Sequence, residues 1–83
     1  MYHVYILECV DGLLYTGISN RLVERVDRHN SGKASRCTAV RRPVRLVYSE
    51  EQPDKSAALK REYAIKQLTR REKEALIGER QSS

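Results

Sequence analysis

The stretch YHVYILECVDGLLYTGIS, residues 2–19, decides the fold of this chain. Residues that favour β-strands (tyrosine, valine, isoleucine and threonine) flank the pair Asp11-Gly12, which accepts a positive φ. The pattern predicts a β-hairpin, whose register depends on the loop length, because a shift of one residue moves every side chain to the other face. A two-residue loop at Asp11-Gly12 would pair Tyr15 with Glu8. Tyr5 and Tyr15 would then lie on opposite faces.

A three-residue loop, residues 10–12, is the alternative, with Gly12 in the left-handed conformation. It pairs Tyr5 with Gly17, so that Tyr5 and Tyr15 share one face and Gly17 leaves open space beside Tyr5. The sequence leaves both registers open, and we favour the second because it gives a cleaner apolar core on the other face. That core would consist of Val4, Ile6, Leu14 and Ile18.

Periodicity and capping signals predict a first helix after the hairpin, over residues 20–30. Asn20 is its expected N-cap, and Ser31-Gly32 is its expected stop. Its buried stripe would consist of Leu22, Val23 and Val26. A basic loop follows over residues 33–42, and Pro43 ends it.

A third strand is predicted over residues 44–49, where apolar residues alternate. Its buried face would consist of Val44, Leu46 and Tyr48. Asp54 or Ser56 is expected to cap a second helix, which runs to about Leu68. The sequence Thr69-Arg70-Arg71-Glu72 is a capping box, in which two side chains satisfy two free backbone amides, so it predicts a last helix.

The predicted order is β-β-α-β-α-α, an α+β fold with a small three-stranded, mostly antiparallel sheet flanked by helices. The last helix is expected to end near Ile77, so a single domain would span residues 1–77, with a frayed tail over residues 78–83. A chain of 83 residues is short for a domain. It buries only about 60–65% of its unfolded surface, so we expect modest stability.

The charge balance favours a polyanionic partner, since sixteen Lys and Arg face eleven Asp and Glu. Nucleic acid is the first choice, and an anionic membrane surface is the second. No apolar run approaches the roughly 18 residues that a spanning helix needs, so no membrane association is predicted. The two cysteines, Cys9 and Cys37, lack the spacing of a disulfide framework or a zinc site. A cytoplasmic protein with reduced thiols is the simplest interpretation.

Residues 33–45 carry basic side chains and no acidic one. Such a run can be a solvated face, but without compensating acids it favours contact with backbone phosphates. The candidate nucleic-acid-binding residues are Lys33, Arg36, Arg41, Arg42 and Arg45. Ser35 and Thr38 would add neutral hydrogen bonds to phosphate. No base-reading helix is indicated, and therefore no strong sequence selectivity.

Glu62 is the most informative carboxylate, because helical geometry places it near the packed side of its helix. A charged group there needs a partner, since burying it alone is costly. One interpretation is a helix-edge ion pair with Arg61 or Lys66. The other is a ligand for one divalent cation, because Mg²⁺ uses one or two carboxylates and keeps several waters.

Arg25 and His29 are four residues apart, on one face of the first helix. Alone, they fit a solvated arginine and a histidine at a helix end, and packing alone would explain Tyr5 and Tyr15 as strand residues. If the four face one another, they suit phosphodiester cleavage. The guanidinium matches phosphate oxygens, and a phenol with a pKa lowered by a nearby cation can act as a base.

The words His3-Val4-Tyr5 and Tyr15-Thr16-Gly17, followed by Arg25, His29 and Glu62, resemble the GIY-YIG nuclease superfamily. The similarity is strongest to its small stand-alone bacterial members, and it covers nearly the whole chain. It implies the fold predicted above and hydrolysis of a phosphodiester with one divalent ion, Mg²⁺ or Mn²⁺.

The resemblance also implies a role for each residue. Glu62 would hold the metal, and Arg25 would contact the scissile phosphate. Tyr15 would be the general base, Tyr5 would orient water or substrate, and His29 would assist proton movement. The small size of the domain favours single-stranded, flap or branched DNA as substrate over a long duplex sequence.

The chain departs from the family pattern at three points. His3 replaces a glycine, Thr16 replaces an isoleucine, and no asparagine follows Asn30, whereas many members have one after the helix glutamate. Two other functions therefore stay open: a non-catalytic nucleic-acid-binding module on the same scaffold, or an adaptor for an acidic protein, which leaves Glu62 unexplained. Either a monomer or a homodimer is compatible with the sequence, since a two-fold pair would widen the basic surface.

Overall fold

The hairpin occupies the centre and one edge of a three-stranded antiparallel sheet in the computed structural model, which describes residues 1–81. Strand β1 (Tyr2–Cys9) lies between β2 (Leu14–Ser19) and β3 (Val44–Gln52). Tyr5 pairs with Gly17, and Gly12 has a φ of 90°. These features confirm the three-residue loop and exclude the two-residue one.

Strand β3 carries an irregularity that the sequence analysis did not predict. Ile6 pairs with Tyr48, but its neighbour Leu7 pairs with Leu46, so Val47 is an extra residue in β3. Such a bulge reverses the alternation of side chains beyond it. The prediction of one common face for Val44, Leu46 and Tyr48 is therefore wrong. The strand also continues past Ser49 to its end at residue 52.

Apolar residues are buried on both faces of the sheet. The hairpin core predicted for one face is confirmed, since Val4 and Ile6 are fully buried and Leu14 and Ile18 pack against them. Tyr48 joins this cluster from β3. A second cluster lies on the other face and consists of Tyr5, Leu7, Cys9 and Val44.

Helix α1 (Leu22–Asn30) covers the face that carries the second cluster. It begins two residues later than predicted, and Asn20 is not its N-cap, because the Ser19 hydroxyl accepts the Arg21 amide at 2.9 Å and extends the turn. Its end is confirmed, since Gly32 follows with a φ of 79°.

One member of the predicted α1 stripe does not face the core. Leu22 and Val26 pack against the second cluster, whereas Val23 is 75% exposed. Val23 lies about 100° around the helix axis from Leu22, which takes it beyond the contact with the sheet.

The predicted basic loop contains a one-turn helix, α2 (Arg36–Ala39). The Ser35 hydroxyl caps it by accepting the Cys37 amide at 3.2 Å. The loop is also fixed at both ends. The Asn30 side chain donates to the Val44 carbonyl at 3.0 Å and accepts the Val44 amide at 2.8 Å, which ties the end of α1 to the start of β3.

Helices α3 (Lys55–Lys66) and α4 (Arg70–Gln81) cover the other face of the sheet. Asp54 caps α3, as predicted, by accepting the Ala57 amide at 2.8 Å. The capping box of α4 is also confirmed, because the Thr69 amide donates to Glu72 at 2.9 Å and the Glu72 amide donates to the Thr69 hydroxyl at 3.2 Å.

Helix α4 continues beyond the predicted end at Ile77, so residues 78–81 of the predicted frayed tail belong to it, and residues 82–83 lie outside the described part. The order β-β-α-β-α-α and the α+β class are confirmed, with α2 as an addition inside one connection. Within residues 1–81, the helices are all too short and too polar to cross a bilayer.

The substitution Gly17→Ala tests the space on which the hairpin face depends. A Cβ at this position would lie 2.5 Å from the Tyr5 Oη and 2.7 Å from its Cζ, so the phenol ring must move. We expect a loss of about 1–3 kcal/mol in the free energy of unfolding, measured by urea denaturation. Gly78→Ala is the matched control. Among the described residues it meets no atom within 4 Å outside its own surroundings in α4, and we expect a gain of about 0.5–1 kcal/mol. Equal effects of the two substitutions would contradict the assignment.

Candidate active site

Tyr5, Tyr15 and His29 meet on the face of the sheet that α1 covers. The Tyr5 hydroxyl lies 2.9 Å from His29 Nε2, and both residues are almost fully buried, with 2% and 1% exposure. The Tyr15 ring lies edge-on to the His29 ring, at 5.1 Å between centroids. The hairpin register and the α1 spacing thus bring together three residues that are far apart in the sequence.

The second nitrogen of His29 contacts a residue of α2. His29 Nδ1 lies 2.7 Å from the hydroxyl of Thr38, which is fully buried. That hydroxyl donates its proton to the Ser35 carbonyl at 3.3 Å, so it accepts from Nδ1. We assign the ring proton to Nδ1 on this basis, so that Nε2 accepts from the Tyr5 hydroxyl. The result is a directed chain of buried hydrogen bonds, which runs from Tyr5 through His29 and Thr38 to the main chain.

Thr38 is the site residue that the sequence analysis placed incorrectly. It was expected to contact phosphate, but its burial leaves it no access to a ligand. Its contact with His29 joins residues nine positions apart through a one-turn helix. A short polar stretch rich in arginine gives no periodicity from which such a contact can be deduced.

The electrostatics of the site keep Tyr5 protonated and His29 neutral. Burial, together with the nearby Tyr15 hydroxyl and the charge of Glu62, raises the pKa of Tyr5 to about 12, although Arg25 acts in the opposite direction. Burial and the positive charge of Arg25 lower the pKa of His29. Arg25 is thus within electrostatic range of both groups, and Tyr5 is suited to donate a hydrogen bond and not to accept a proton.

Glu62 lies on α3, close enough for its charge to act on Tyr5. Its side chain is 19% exposed, and one carboxylate oxygen lies 3.4 Å from the ammonium of Lys66. The helix-edge ion pair considered in the sequence analysis is therefore present, with Lys66 as the partner. Arg61, the other candidate, pairs with Glu50 at 3.0 Å. Because the charge of Glu62 contributes to the high pKa of Tyr5, the carboxylate also acts on the tyrosine side of the site.

The donor atoms of the site fit one hard divalent cation better than a zinc ion. No three His, Cys, Asp or Glu side chains come together anywhere in residues 1–81, so a zinc-type ligand set is not formed there. One carboxylate is sufficient for Mg²⁺, which keeps several waters and binds substrate phosphates. The Lys66 side chain is 52% exposed and free to turn away from Glu62.

The structure divides the predicted basic stretch into two groups. Arg41 binds Asp11 at 2.9 Å, Arg42 donates to the Ala39 carbonyl at 2.8 Å, and Arg45 binds Glu8 at 2.6 Å. Arg45 also borders a cleft next to α4, on the opposite face of the sheet from the tyrosines. These three arginines stabilise the fold in addition to any external contact.

Lys33 and Arg36 form the second group. Both are exposed, and their side chains enter none of the hydrogen bonds or ion pairs found within residues 1–81. Arg36 belongs to α2, the helix that also carries Thr38. Their cationic groups are thus available to an external anion.

The fold agrees with the comparisons to known proteins. Residues 1–75 match the family model of the GIY-YIG catalytic domain, so the chain belongs to the GIY-YIG family, whose domain is of nuclease type. It is 54% identical over 77 residues to the UPF0213 proteins of Staphylococcus aureus strains Mu3 and Mu50, which covers 93% of this chain and 94% of theirs. It also resembles the solution NMR structure of the UPF0213 protein BH0048 from Bacillus halodurans. The TM-score is 0.60 at 44% identity, with 94% of this chain and 84% of that chain covered.

The lowered pKa of His29 predicts how stability depends on pH. Below pH 6.5, the ordinary histidine pKa, the unfolded state binds a proton that the buried ring resists. The free energy of unfolding therefore decreases as the pH is lowered. Above pH 6.5 this contribution is fully present. The slope for one proton is at most about 1.4 kcal/mol per pH unit. Urea denaturation from about pH 5 to pH 8 measures it.

Two substitutions assign this pH dependence to one of the two histidines. His29→Gln should flatten the profile between about pH 5 and 6.5, whereas His3→Gln, on β1, should keep it. A profile that stays steep in His29→Gln would show that the buried ring does not resist protonation.

Proposed function

We propose that this protein is a metal-dependent endonuclease that hydrolyses DNA phosphodiesters in the bacterial cytoplasm, on single-stranded, flap or branched substrates. The observation that carries the proposal is the buried chain of hydrogen bonds from Tyr5 through His29 to Thr38, with Tyr15 and the charge of Arg25 beside it. Folding alone does not require a neutral histidine between two hydroxyls. Catalysis uses such a chain to hold a donor in a fixed direction.

Each residue has a distinct task in this proposal. The Arg25 guanidinium binds the scissile phosphate and stabilises the charge that its oxygens gain in the transition state. Tyr15, which is less buried than Tyr5, acts as the general base that takes a proton from the attacking water. The water oxygen forms a bond to phosphorus as the bond to the leaving oxygen breaks.

Tyr5 and His29 have a positioning task. Tyr5 stays protonated and donates its hydrogen bond to His29. Since both ring nitrogens of His29 are engaged, one by Tyr5 and one by Thr38, His29 acts through Tyr5 and not by direct contact with the substrate. The family resemblance implied that His29 assists proton movement, and the proposal limits this assistance to an effect through Tyr5.

Glu62 would hold one Mg²⁺ or Mn²⁺ ion, which would stabilise the leaving oxygen. The carboxylate is only partly exposed, and its present partner is the mobile ammonium of Lys66. With Glu62 holding the ion, Lys66 would leave the carboxylate, and its charge would be available to a phosphate of the substrate.

A non-catalytic nucleic-acid-binding module is the second candidate function. The ion pair between Glu62 and Lys66 supports it, because the carboxylate is already neutralised without a metal. The lack of an asparagine after Asn30 supports it too. The two functions share the basic surface and differ in whether Glu62 takes part in a reaction.

Glu62→Gln separates these functions, with labelled single-stranded, duplex and flap DNA incubated with Mg²⁺, Mn²⁺ or EDTA. The parent should cleave only with metal, and the variant should lose on the order of 100-fold or more in rate while still binding DNA. Glu51→Gln removes the same charge from the exposed end of β3 and should leave cleavage unchanged.

The gel also distinguishes the failures of the proposal. A mobility shift that weakens with salt, without product under any metal, would support the binding module. Cleavage by Glu62→Gln at the parent rate would remove the metal role from Glu62. Neither cleavage nor a shift would leave both functions unsupported for these substrates.

The division of the basic stretch gives a prediction about binding. Lys33→Ala and Arg36→Ala together should weaken DNA binding and reduce the slope of log K against log salt by about 0.7–0.9 for each lost phosphate contact. Arg45→Ala, in which the lost cation pairs with Glu8, should leave that slope unchanged. Filter binding over a salt series measures it, and a greater effect of Arg45→Ala would reverse the assignment.

A further inference from the structure

Helix α3 exposes two of its three large apolar residues. Its buried positions are Ala58 and Ile65, whereas Leu59 is 45% exposed and Tyr63 is 68% exposed. Of the five tyrosines in the chain, Tyr63 is the one that is mainly exposed. A helix that served only to cover the sheet would gain by turning these two residues inward. Their exposure therefore indicates a surface with a task other than folding.

This surface begins at Glu62. At about 100° per residue, Lys66, Leu59 and Tyr63 lie about 40°, 60° and 100° around the axis from Glu62, all in the same direction. Arg61 lies about 100° in the other direction, where it pairs with Glu50 of β3. The strip formed by Leu59, Tyr63 and Lys66 thus runs outward from Glu62, away from β3. Its members lie within roughly one helix diameter, about 10 Å, of the carboxylate.

The chemistry of the strip fits a single-stranded nucleic acid. An exposed tyrosine ring offers a flat face for stacking, and each base has such a face whatever its sequence. Bases in a duplex are stacked on one another, so only an unpaired base can use the ring. The helix carries four basic residues against one acidic residue, Glu62, so its charge suits a phosphate backbone and not a basic partner.

We propose that Tyr63, supported by Leu59, stacks on an unpaired base of the nucleotide next to the phosphate that Arg25 binds, and that Lys66 contacts the intervening backbone. The inference deepens the proposed function and rests on it, because it assigns to α3 the preference for unpaired substrate. Tyr63 touches the base and not the reacting atoms, so it is a binding residue and not a catalytic one.

The first test is the affinity for a single-stranded oligothymidine in EDTA, where metal-dependent cleavage does not occur. Tyr63→Ala should bind it about 5- to 100-fold more weakly than the parent, since stacking on an aromatic residue contributes that much per base. Tyr63→Phe keeps the ring and should bind within about twofold of the parent. Affinity for a duplex of the same length should change little in either variant.

The second test uses the lack of tryptophan in the chain. Tyr63→Trp introduces a single indole, whose fluorescence should be quenched when single-stranded DNA stacks on it. Val23→Trp is the matched control. It places an indole at a position of similar exposure, 75%, on the side of α1 that turns away from the core.

The outcomes are distinct. Quenching in Tyr63→Trp but not in Val23→Trp, with weaker binding by Tyr63→Ala, would establish the stacking site. Equal quenching at both positions, or unchanged affinity in Tyr63→Ala, would overturn it. Both readouts are made without metal, so they stand even if no cleavage is found. Conversely, metal-dependent cleavage by a Tyr63→Ala protein with parental affinity would support the nuclease and reject the stacking site.

Discussion

Tyr5 pairs with Gly17 across the hairpin, and the missing side chain of Gly17 leaves the space in which the Tyr5 phenol lies. From this position the hydroxyl reaches His29 on α1, and His29 in turn reaches Thr38 on α2. The register of the hairpin thus aligns β1, β2, α1 and α2 around one chain of hydrogen bonds. A slip of one residue would turn Tyr5 to the other face and leave the Nε2 atom of His29 buried without a partner.

That line of hydrogen bonds is stable because each group in it has a partner and none carries a charge. A buried donor or acceptor that loses its partner costs about 1–3 kcal/mol, and a charged imidazole would cost more. Burial and Arg25 both favour the neutral form of His29, which is the form that can accept from Tyr5 and donate to Thr38. The direction of each hydrogen bond in the chain therefore depends on whether the His29 ring is neutral. A core that contains polar groups must pair every one of them, whereas an apolar core has no such requirement. Because this domain is small, we connect the buried hydrogen-bond chain with function and not with folding.

The features that depend on neighbouring residues could be predicted from the sequence. The hairpin loop, the Asp54 cap and the capping box at Thr69 depend on neighbouring residues, and the structure confirms all three. The failures depend on distant ones. The position of the extra residue Val47 depends on how β3 pairs with β1, and nothing in its own neighbourhood indicates it. The burial of Thr38 likewise depends on how α1 and the following loop fold back on the sheet. Family resemblance named Tyr5, Tyr15, Arg25, His29 and Glu62, but the contact of Thr38 with His29 became visible only in three dimensions.

The ion pair between Glu62 and Lys66 balances the charge of the carboxylate without holding it tightly. A partly exposed ion pair on a helix contributes only about 0–1 kcal/mol, so Lys66 shields the charge of Glu62 yet yields easily to a stronger ligand. A single protein carboxylate, however, is a weak site for a divalent cation, and phosphate oxygens are needed to complete its coordination. Binding of the ion and binding of the nucleic acid should therefore strengthen each other, since any coupling between two ligands is reciprocal. Under the proposed function, the small domain would need no preformed metal centre, because phosphate oxygens of the substrate would supply the remaining ligands.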